Sequence, residues 1–276
     1  MNLKKNNDII KTSLDSNGIL RICLNNPNNH NALSREMMNK VHAELNEASE
    51  DKDIRVIIIS AEGPTFSAGH DLKELKASRK NPDKGKNSYK EIMEKCSELM
   101  QTIVNNPKPV IAEVAGVATA AGCQLVASCD LAYAAKSARF ATPGVNIGLF
   151  CSTPMVALSR NISNKHSMEM LLTGELISSV KAAKIGLINE VMDDDSLHKH
   201  ITEIALKISK KSAMTLKTGK EAFYKQIDMT LPEAGLCSFS SDEVEKILGH
   251  HSREIEKILG YTAKSEVVHK DDMVEI

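Results

Sequence analysis

The segment from Pro109 to Phe150, PVIAEVAGVATAAGCQLVASCDLAYAAKSARFATPGVNIGLF, constrains the fold more than any other part of the chain. Residues 110–115 are almost entirely apolar and read as a buried strand. The turn Gly116-Val-Ala-Thr-Ala-Ala-Gly122 follows, made only of small residues, and Ala121-Gly122 open an apolar helix that ends before Asp130. A second strand and a loop complete the segment. A turn of this kind, feeding a helix, leaves N–H groups without intrahelical partners and lets another group approach the backbone closely. It suits an anion or a developing oxyanion, and equally a tight crossover packed on small residues.

A chain of 276 residues, 42% hydrophobic, can fill one large core or a core with an appendage. Its net charge of −1 and its 3% aromatic content, with no Trp, argue against nucleic acid as a partner. No run of about 18 apolar residues is present, so no membrane span is expected. The six cysteines (Cys23, Cys96, Cys123, Cys129, Cys151 and Cys237) are scattered, with no CxxC pair, as buried thiols of a reducing compartment would be. The N-terminal stretch MNLKKNNDIIKTSLDSNG has no apolar core and contains acidic residues, so no transit peptide is expected. The location read from this is cytoplasmic, or the mitochondrial matrix in a eukaryote.

In chain order, residues 9–14 and 19–24 flank Asp15-Ser-Asn-Gly18 as a hairpin. Ser34 is positioned to cap a helix with Met37, Met38, Val41, Leu45 and Ala48 on one face. Val56–Ser60 reads as a buried strand, residues 61–75 as a polar turn running into a helix start, and Lys76–Lys90 as a solvated segment. A long helix from Tyr89 to Val104 is broken by Asn106-Pro-Lys-Pro109. Strand, strand and helix thus recur, which predicts stacked ββα units. Beyond Phe150, residues 153–160, 164–172 and 180–185 read helical, residues 186–192 as a short strand, and everything from Leu197 as helix. In that last region VEKILG at 244–249 recurs as IEKILG at 255–260. The division expected is a core over residues 1–200 and a helical region over 201–276.

Two turns present backbone donors: Ser67-Ala-Gly-His-Asp71 and Thr119-Ala-Ala-Gly-Cys123. If they converge, the His70 and Ala121 N–H groups form a two-donor oxyanion hole for a thioester carbonyl. One such donor contributes about 3–4 kcal/mol to the transition state. No His, Cys or carboxylate spacing suggests a metal; His30, His42 and the His250-His251 pair stand apart from such patterns. Asp71 and Glu74 read as helix-start residues.

Several ordered motifs resemble the enoyl-CoA hydratase/isomerase, or crotonase, superfamily. They are Leu24-x-x-Pro27 with Asn31-Ala-Leu33, the strand at 56–60, Phe66-Ser-Ala-Gly-His-Asp-Leu72 and Lys108-Pro-Val-Ile111. Further on come Ala121-Gly-Cys-Gln124 with Cys129-Asp130, Phe140-Ala-Thr-Pro143, and Leu172-Thr-Gly174 followed by Ala182-x-x-x-Gly186-Leu187. The resemblance implies an α/β fold, a crotonase-like spiral of ββα units with a helical C-terminal trimerisation region, assembled as a homotrimer or dimer of trimers. It implies an acyl-CoA thioester as ligand, with coenzyme A arriving as part of the substrate and no other cofactor. It places the oxyanion donors at His70 and Ala121, and Phe66, Ser67, Ala68, His70 and Leu72 along CoA, mainly through backbone.

Two departures stand out. Family hydratases carry glutamates where this chain has Gln124 and Gly144. An amide is no base near neutral pH and glycine has no side chain, so two groups each worth about 10²–10⁴-fold in rate are missing. Asn146, Cys151 and Ser152 come from the loop expected to line the acyl site; their plainer roles are a turn amide, a buried small hydrophobe and a helix cap. Three functions follow from the resemblance: a lyase or isomerase working by oxyanion stabilisation, a catalytically inactive acyl-CoA-binding or regulatory oligomer, and a decarboxylase-type lyase on a malonyl-type thioester, whose superfamily members the SAGHD run and the TPGVNIG loop resemble.

Overall fold

The computed structural model describes residues 8–237. Strands β1 (Ile10–Leu14) and β2 (Ile19–Leu24) pair antiparallel. The turn between them is tied by the Asp15 carboxylate, which accepts the Asn17 and Ile19 N–H groups at 2.8 and 2.9 Å. Helix α1 (Arg35–Glu50) starts at Ser34, whose hydroxyl accepts the Met37 N–H, and it buries Met37, Met38, Val41, Leu45 and Ala48, the face that the spacing predicts.

Three strand–strand–helix units follow. The first is β3 (Val56–Ala61), β4 (Thr65–Ser67), α2 (Leu72–Ser78) and α3 (Lys86–Asn105). The second is β5 (Val110–Val114), β6 (Val117–Thr119) and α4 (Ala121–Ser128). The third is β7 (Leu131–Ala135), β8 (Arg139–Ala141), a 3-10 turn at Pro143–Ile147, α5 (Ser152–Asn161) and α6 (Asn164–Thr173). Next come β9 (Ile177–Ser178), α7 (Ser179–Lys184), β10 (Glu190–Met192), α8 (Leu197–Ser209), α9 (Ala213–Gln226) and α10 (Leu231–Cys237).

The first strand of each unit enters one sheet, ordered β1-β2-β3-β5-β7-β10 and parallel from β2 onward. The second strand enters another, ordered β4-β6-β8-β9. Each unit therefore advances both sheets by one strand, which is the spiral of ββα units expected. The small-residue turn contributes β6 to the second sheet, where the sequence reads only a turn. Three residues are too few to show an alternating pattern.

Side chains of β3 alternate between two cores, as a strand covered on both faces requires. Ile57 and Ile59 join Ile22, Leu24, Met37, Leu45, Leu99, Ile103 and Leu125 on one side. Val56 and Ile58 join Ile19, Ile111 and Tyr133 on the other, covered by Leu197, Ile201 and Ala205 of α8. Burying each large aliphatic side chain contributes about 1.5–3 kcal/mol. Glu113 on β5 ties α8 to this face by pairing with Arg21 and with His198 Nδ1 at 3.1 Å, while Arg21 also donates to Thr202 Oγ1 at 2.8 Å. The boundary expected at residue 200 thus falls inside a helix that covers the sheet, and the first unit of the chain runs to Lys220. The second begins at Glu221 and its described part holds the end of α9 and α10.

The lysine-rich stretch Lys76–Lys90 is mostly exposed, as read, but it has regular structure. It contains the end of α2, a turn in which Asp83 accepts the Gly85 and Asn87 N–H groups, and the first turn of α3, which begins three residues before Tyr89. The local charge density conceals this, because a capping aspartate reads as one more charged residue. The VEKILG repeat, Lys246, Lys257, Lys264 and the His250-His251 pair lie outside the described residues.

Candidate functional site

The two donor turns converge through glycine. Gly69 has φ of +85°, open to glycine at little cost, and a Cβ there would lie 2.9 Å from both the Ala120 Cβ and the Ala121 nitrogen. Reciprocally, Gly122 packs on the end of β4, where a Cβ would lie 2.8 Å from the Ser67 carbonyl carbon and collide with its oxygen. The first turn is held from outside as well: the Leu33 N–H donates to the Gly69 carbonyl at 2.7 Å and the Ala68 N–H to the His30 carbonyl at 3.0 Å. The Gly69 N–H donates to Ser67 Oγ at 3.3 Å.

On the second turn Ala120 has φ of +50° and ψ of −122°, a conformation that costs an L-residue of order 1–3 kcal/mol. It persists because Ala120 is bonded on both sides, its N–H to the Ala141 carbonyl at 2.9 Å and its carbonyl to the Gln124 N–H at 3.0 Å. The bend sets the direction of the next N–H, that of Ala121, the first residue of α4. Neither the His70 nor the Ala121 N–H donates to a backbone carbonyl among the described residues.

The His70 ring is turned inward, with both ring nitrogens sealed from solvent and no hydrogen-bond partner. Burial holds its pKa below the ordinary imidazole value; the nearby Leu33 carbonyl and the Glu74 carboxylate oppose this with smaller effect. The ring is therefore neutral at pH 7. Asp71 caps α2 by accepting the Lys73 and Glu74 N–H groups, and it accepts Asn29 Nδ2 at 2.8 Å. Burial works to raise its pKa, and these hydrogen bonds outweigh it and hold the carboxyl below its ordinary value. Glu74 pairs with Arg35 at 3.1 Å. Both carboxylates are thus committed to helix starts.

Both positions at which the resemblance implies a glutamate in hydratases, Gln124 and Gly144, touch a buried thiol. Gln124 is 5% exposed and its Oε1 lies 3.9 Å from Cys96 Sγ on α3. Gly144 donates its N–H to Cys151 Sγ at 3.3 Å. A Cβ at 144 would fall 2.8 Å from that sulfur and inside the Leu149 carbonyl oxygen, so the loop is shaped around the missing side chain. Burial pushes the Cys96 thiol up to about 12 and raises that of Cys151, so neither is a thiolate near neutral pH. The sequence suggests Cys151 as a small buried group, and it is one; its bond to Gly144 has no sequence signal. Cys96 lies on the buried face of α3 with Ile92, Leu99 and Ile103, and its contact with Gln124 has no sequence signal.

Other candidates are dispersed. Asn146 is exposed and its Nδ2 reaches the Gly174 carbonyl at 3.5 Å. Ser152 does not cap α5 through its side chain; its hydroxyl donates to the Phe150 carbonyl at 3.3 Å. Phe66 and Ser67 are buried, whereas Ala68 is exposed and Leu72 is 56% exposed. Any ligand along this strand end meets backbone and the Ala68 and Leu72 side chains. His30 Nδ1 lies 3.3 Å from Thr65 Oγ1 and His42 Nε2 3.3 Å from Asn46 Nδ2. Among the described residues no three His, Cys, Asp or Glu side chains are grouped to hold a metal, and no helix is long and apolar enough to cross a membrane. Cys23, Cys96, Cys123, Cys129 and Cys151 are free thiols.

Comparison with known proteins matches this arrangement to a family. The enoyl-CoA hydratase/isomerase family model matches residues 15–271. The chain is 47% identical over 225 residues to the mitochondrial enoyl-CoA hydratase domain-containing protein 3 of Rattus norvegicus, covering 82% of this chain and 73% of that protein. The crystal structure of the human protein of that name superposes with a TM-score of 0.79 at 42% identity, covering 89% of this chain and 98% of that one. An enoyl-CoA hydratase of Mycobacterium smegmatis superposes with a TM-score of 0.80 at 38% identity, covering 89% and 97%. With the ββα spiral and the ordered motifs in place, the chain belongs to the enoyl-CoA hydratase/isomerase family.

Proposed function

We propose that the chain binds an acyl-CoA thioester with its carbonyl oxygen between the His70 and Ala121 N–H groups, and stabilises the enolate that forms there without a carboxylate at position 124 or 144. The close approach of Gly69 to the Ala121 nitrogen carries this reading, because it brings the two donor turns together at 2.9 Å from an added Cβ. Two preorganised donors without competing partners hold a developing oxyanion at no reorganisation cost. The His70 contribution is its N–H; the neutral, inward-turned ring is not aimed at solvent.

Coenzyme A enters as part of the substrate, along the backbone of Phe66, Ser67 and Ala68 and beside His70 and Leu72, and the reaction takes no other cofactor. The assembly is a homotrimer or a dimer of trimers, with residues 201–276 contributing to it. Free thiols fit a reducing compartment, the cytoplasm or, in a eukaryote, the mitochondrial matrix. Chemistry that forms the enolate without removing a proton, such as loss of CO2 from a malonyl-type thioester, suits this site better than hydration.

The loss of both carboxylates favours a second reading, an acyl-CoA-binding oligomer without activity. Calorimetry with CoA and acetyl-CoA tests the shared premise: absence of saturable binding at millimolar ligand removes both readings. Loss of the conjugated thioester absorbance of crotonyl-CoA tests the chemistry, and rapid hydration by the unmodified protein would overturn the glutamate-free mechanism. Restoring a carboxylate is meaningful only as Gln124→Glu, since the Leu149 carbonyl occupies the space a side chain at 144 needs.

A further inference from the structure

Helix α4 offers the site more than its first N–H. Gln124 lies three residues beyond Ala121, on the same helix face, and helical side chains lean toward the N-terminus, so its amide covers the turn that carries the Ala121 N–H. The orientation of that amide is set from behind. The Cys96 thiol donates to Gln124 Oε1 at 3.9 Å, which places Oε1 toward α3 and sends the NH2 group the other way. The Gln124 nitrogen has no protein partner, and it is not sealed in the manner of the orphaned Thr142 hydroxyl. A polar side chain that is 95% buried thus ends in an NH2 group without a protein partner, three residues along α4 from the Ala121 N–H.

We propose that Gln124 is a specificity residue whose NH2 group receives an oxygen acceptor on C3 of the acyl group, so that the site selects 3-oxoacyl or malonyl-type thioesters over plain alkanoyl ones. A 1,3-dicarbonyl unit in its cis arrangement holds both oxygens on one side of three carbons. The Ala121 N–H and the Gln124 amide are likewise on one face of one helical turn. The glutamate found here in family hydratases would repel such an oxygen, and Gly144 adds no carboxylate of its own. The proposal rests on the reading that the thioester carbonyl sits between His70 and Ala121.

The test is titration calorimetry with acetoacetyl-CoA, malonyl-CoA and butyryl-CoA on the full-length protein, its Gln124→Met variant and its Gln124→Glu variant. The unmodified protein is expected to bind at least one of the first two about tenfold more tightly than butyryl-CoA, the effect of one satisfied hydrogen bond. A stronger grip on malonyl-CoA identifies a carboxylate as the acceptor, and on acetoacetyl-CoA a ketone. In Gln124→Met that preference falls to about unity. In Gln124→Glu malonyl-CoA becomes the weakest of the three, so the proposal stays testable if the Met variant does not fold. Equal binding of all three ligands, or a preference that survives Gln124→Met, overturns it. Failure of all three and of CoA itself overturns instead the acyl-thioester reading beneath it.

Discussion

Helix α4 carries Ala121 at its N-terminal end and Gln124 one turn on, with the thiol of Cys96 against Gln124, all uncharged. Just past its C-terminal end, Asp130 and Lys220 form an ion pair at 2.7 Å with Lys220 only 10% exposed. Charge is therefore buried just beyond this helix, where every donor of the ammonium is met. The Lys220 ammonium also donates to the Ile103 and Lys108 carbonyls at 3.1 and 3.2 Å, and Asp130 accepts the Val110 N–H at 2.7 Å. The site end holds unmet donors instead, and an unmet donor is what a ligand oxygen can use.

The charged end breaks most readily. Burial lowers the Lys220 pKa and Asp130 opposes that shift, so the ammonium survives by its partners. Lys220→Met leaves Asp130 buried without its cation, and urea unfolding is expected to show a loss of about 4 kcal/mol. A loss below about 1 kcal/mol would mean that water replaces the ammonium freely and that the two ends do not differ as described.

Next in size is Gly122→Ala at the uncharged end. In an ordinary helix interior this change stabilises by about 1 kcal/mol. Here the new methyl meets the Ser67 backbone, and a loss of about 3 kcal/mol is expected, with weaker CoA binding as the two turns separate. A stabilised variant would show that the turns tolerate separation, and the donor geometry would lose its structural basis.

Ala120→Gly sharpens the comparison in the opposite direction. The positive φ at Ala120 is strain held by flanking bonds, and glycine releases it, so a gain of about 1 kcal/mol in urea unfolding is expected. If the variant is instead destabilised, the bend is relaxed for alanine and its cost lies elsewhere.

What the sequence reveals of these features depends on the range over which each is encoded. Ser34 and the apolar face of α1 are legible because cap and periodicity are local. The ββα recurrence is legible from the strong strands β3, β5 and β7, but β4, β6 and β8 span three residues each and declare themselves only as a second sheet. Gln124 and Gly144 stand out against the family motifs, while the thiol of Cys96 does not, since it meets Gln124 across 28 positions. The Lys220–Asp130 pair spans 90 positions, and nothing in a lysine on an amphipathic helix marks it as buried. Alanine at 120 conceals its conformation because alanine has no preference for positive φ.

The smallest expected effect concerns the His70 ring, which extends the uncharged character of the site end to a titratable group. Because burial lowers its folded-state pKa, the unfolded chain takes up a proton below about pH 6.5 that the folded chain refuses. Stability is then highest above that pH and falls as the pH drops through the window between the unfolded and folded values. The informative quantity is a difference between variants. Between pH 7.5 and 5.5 the fall in Tm is expected to be smaller for His70→Gln than for the unmodified protein. Equal falls would mean that the imidazole accepts its proton alike in both states, which a ring sealed without a partner cannot do.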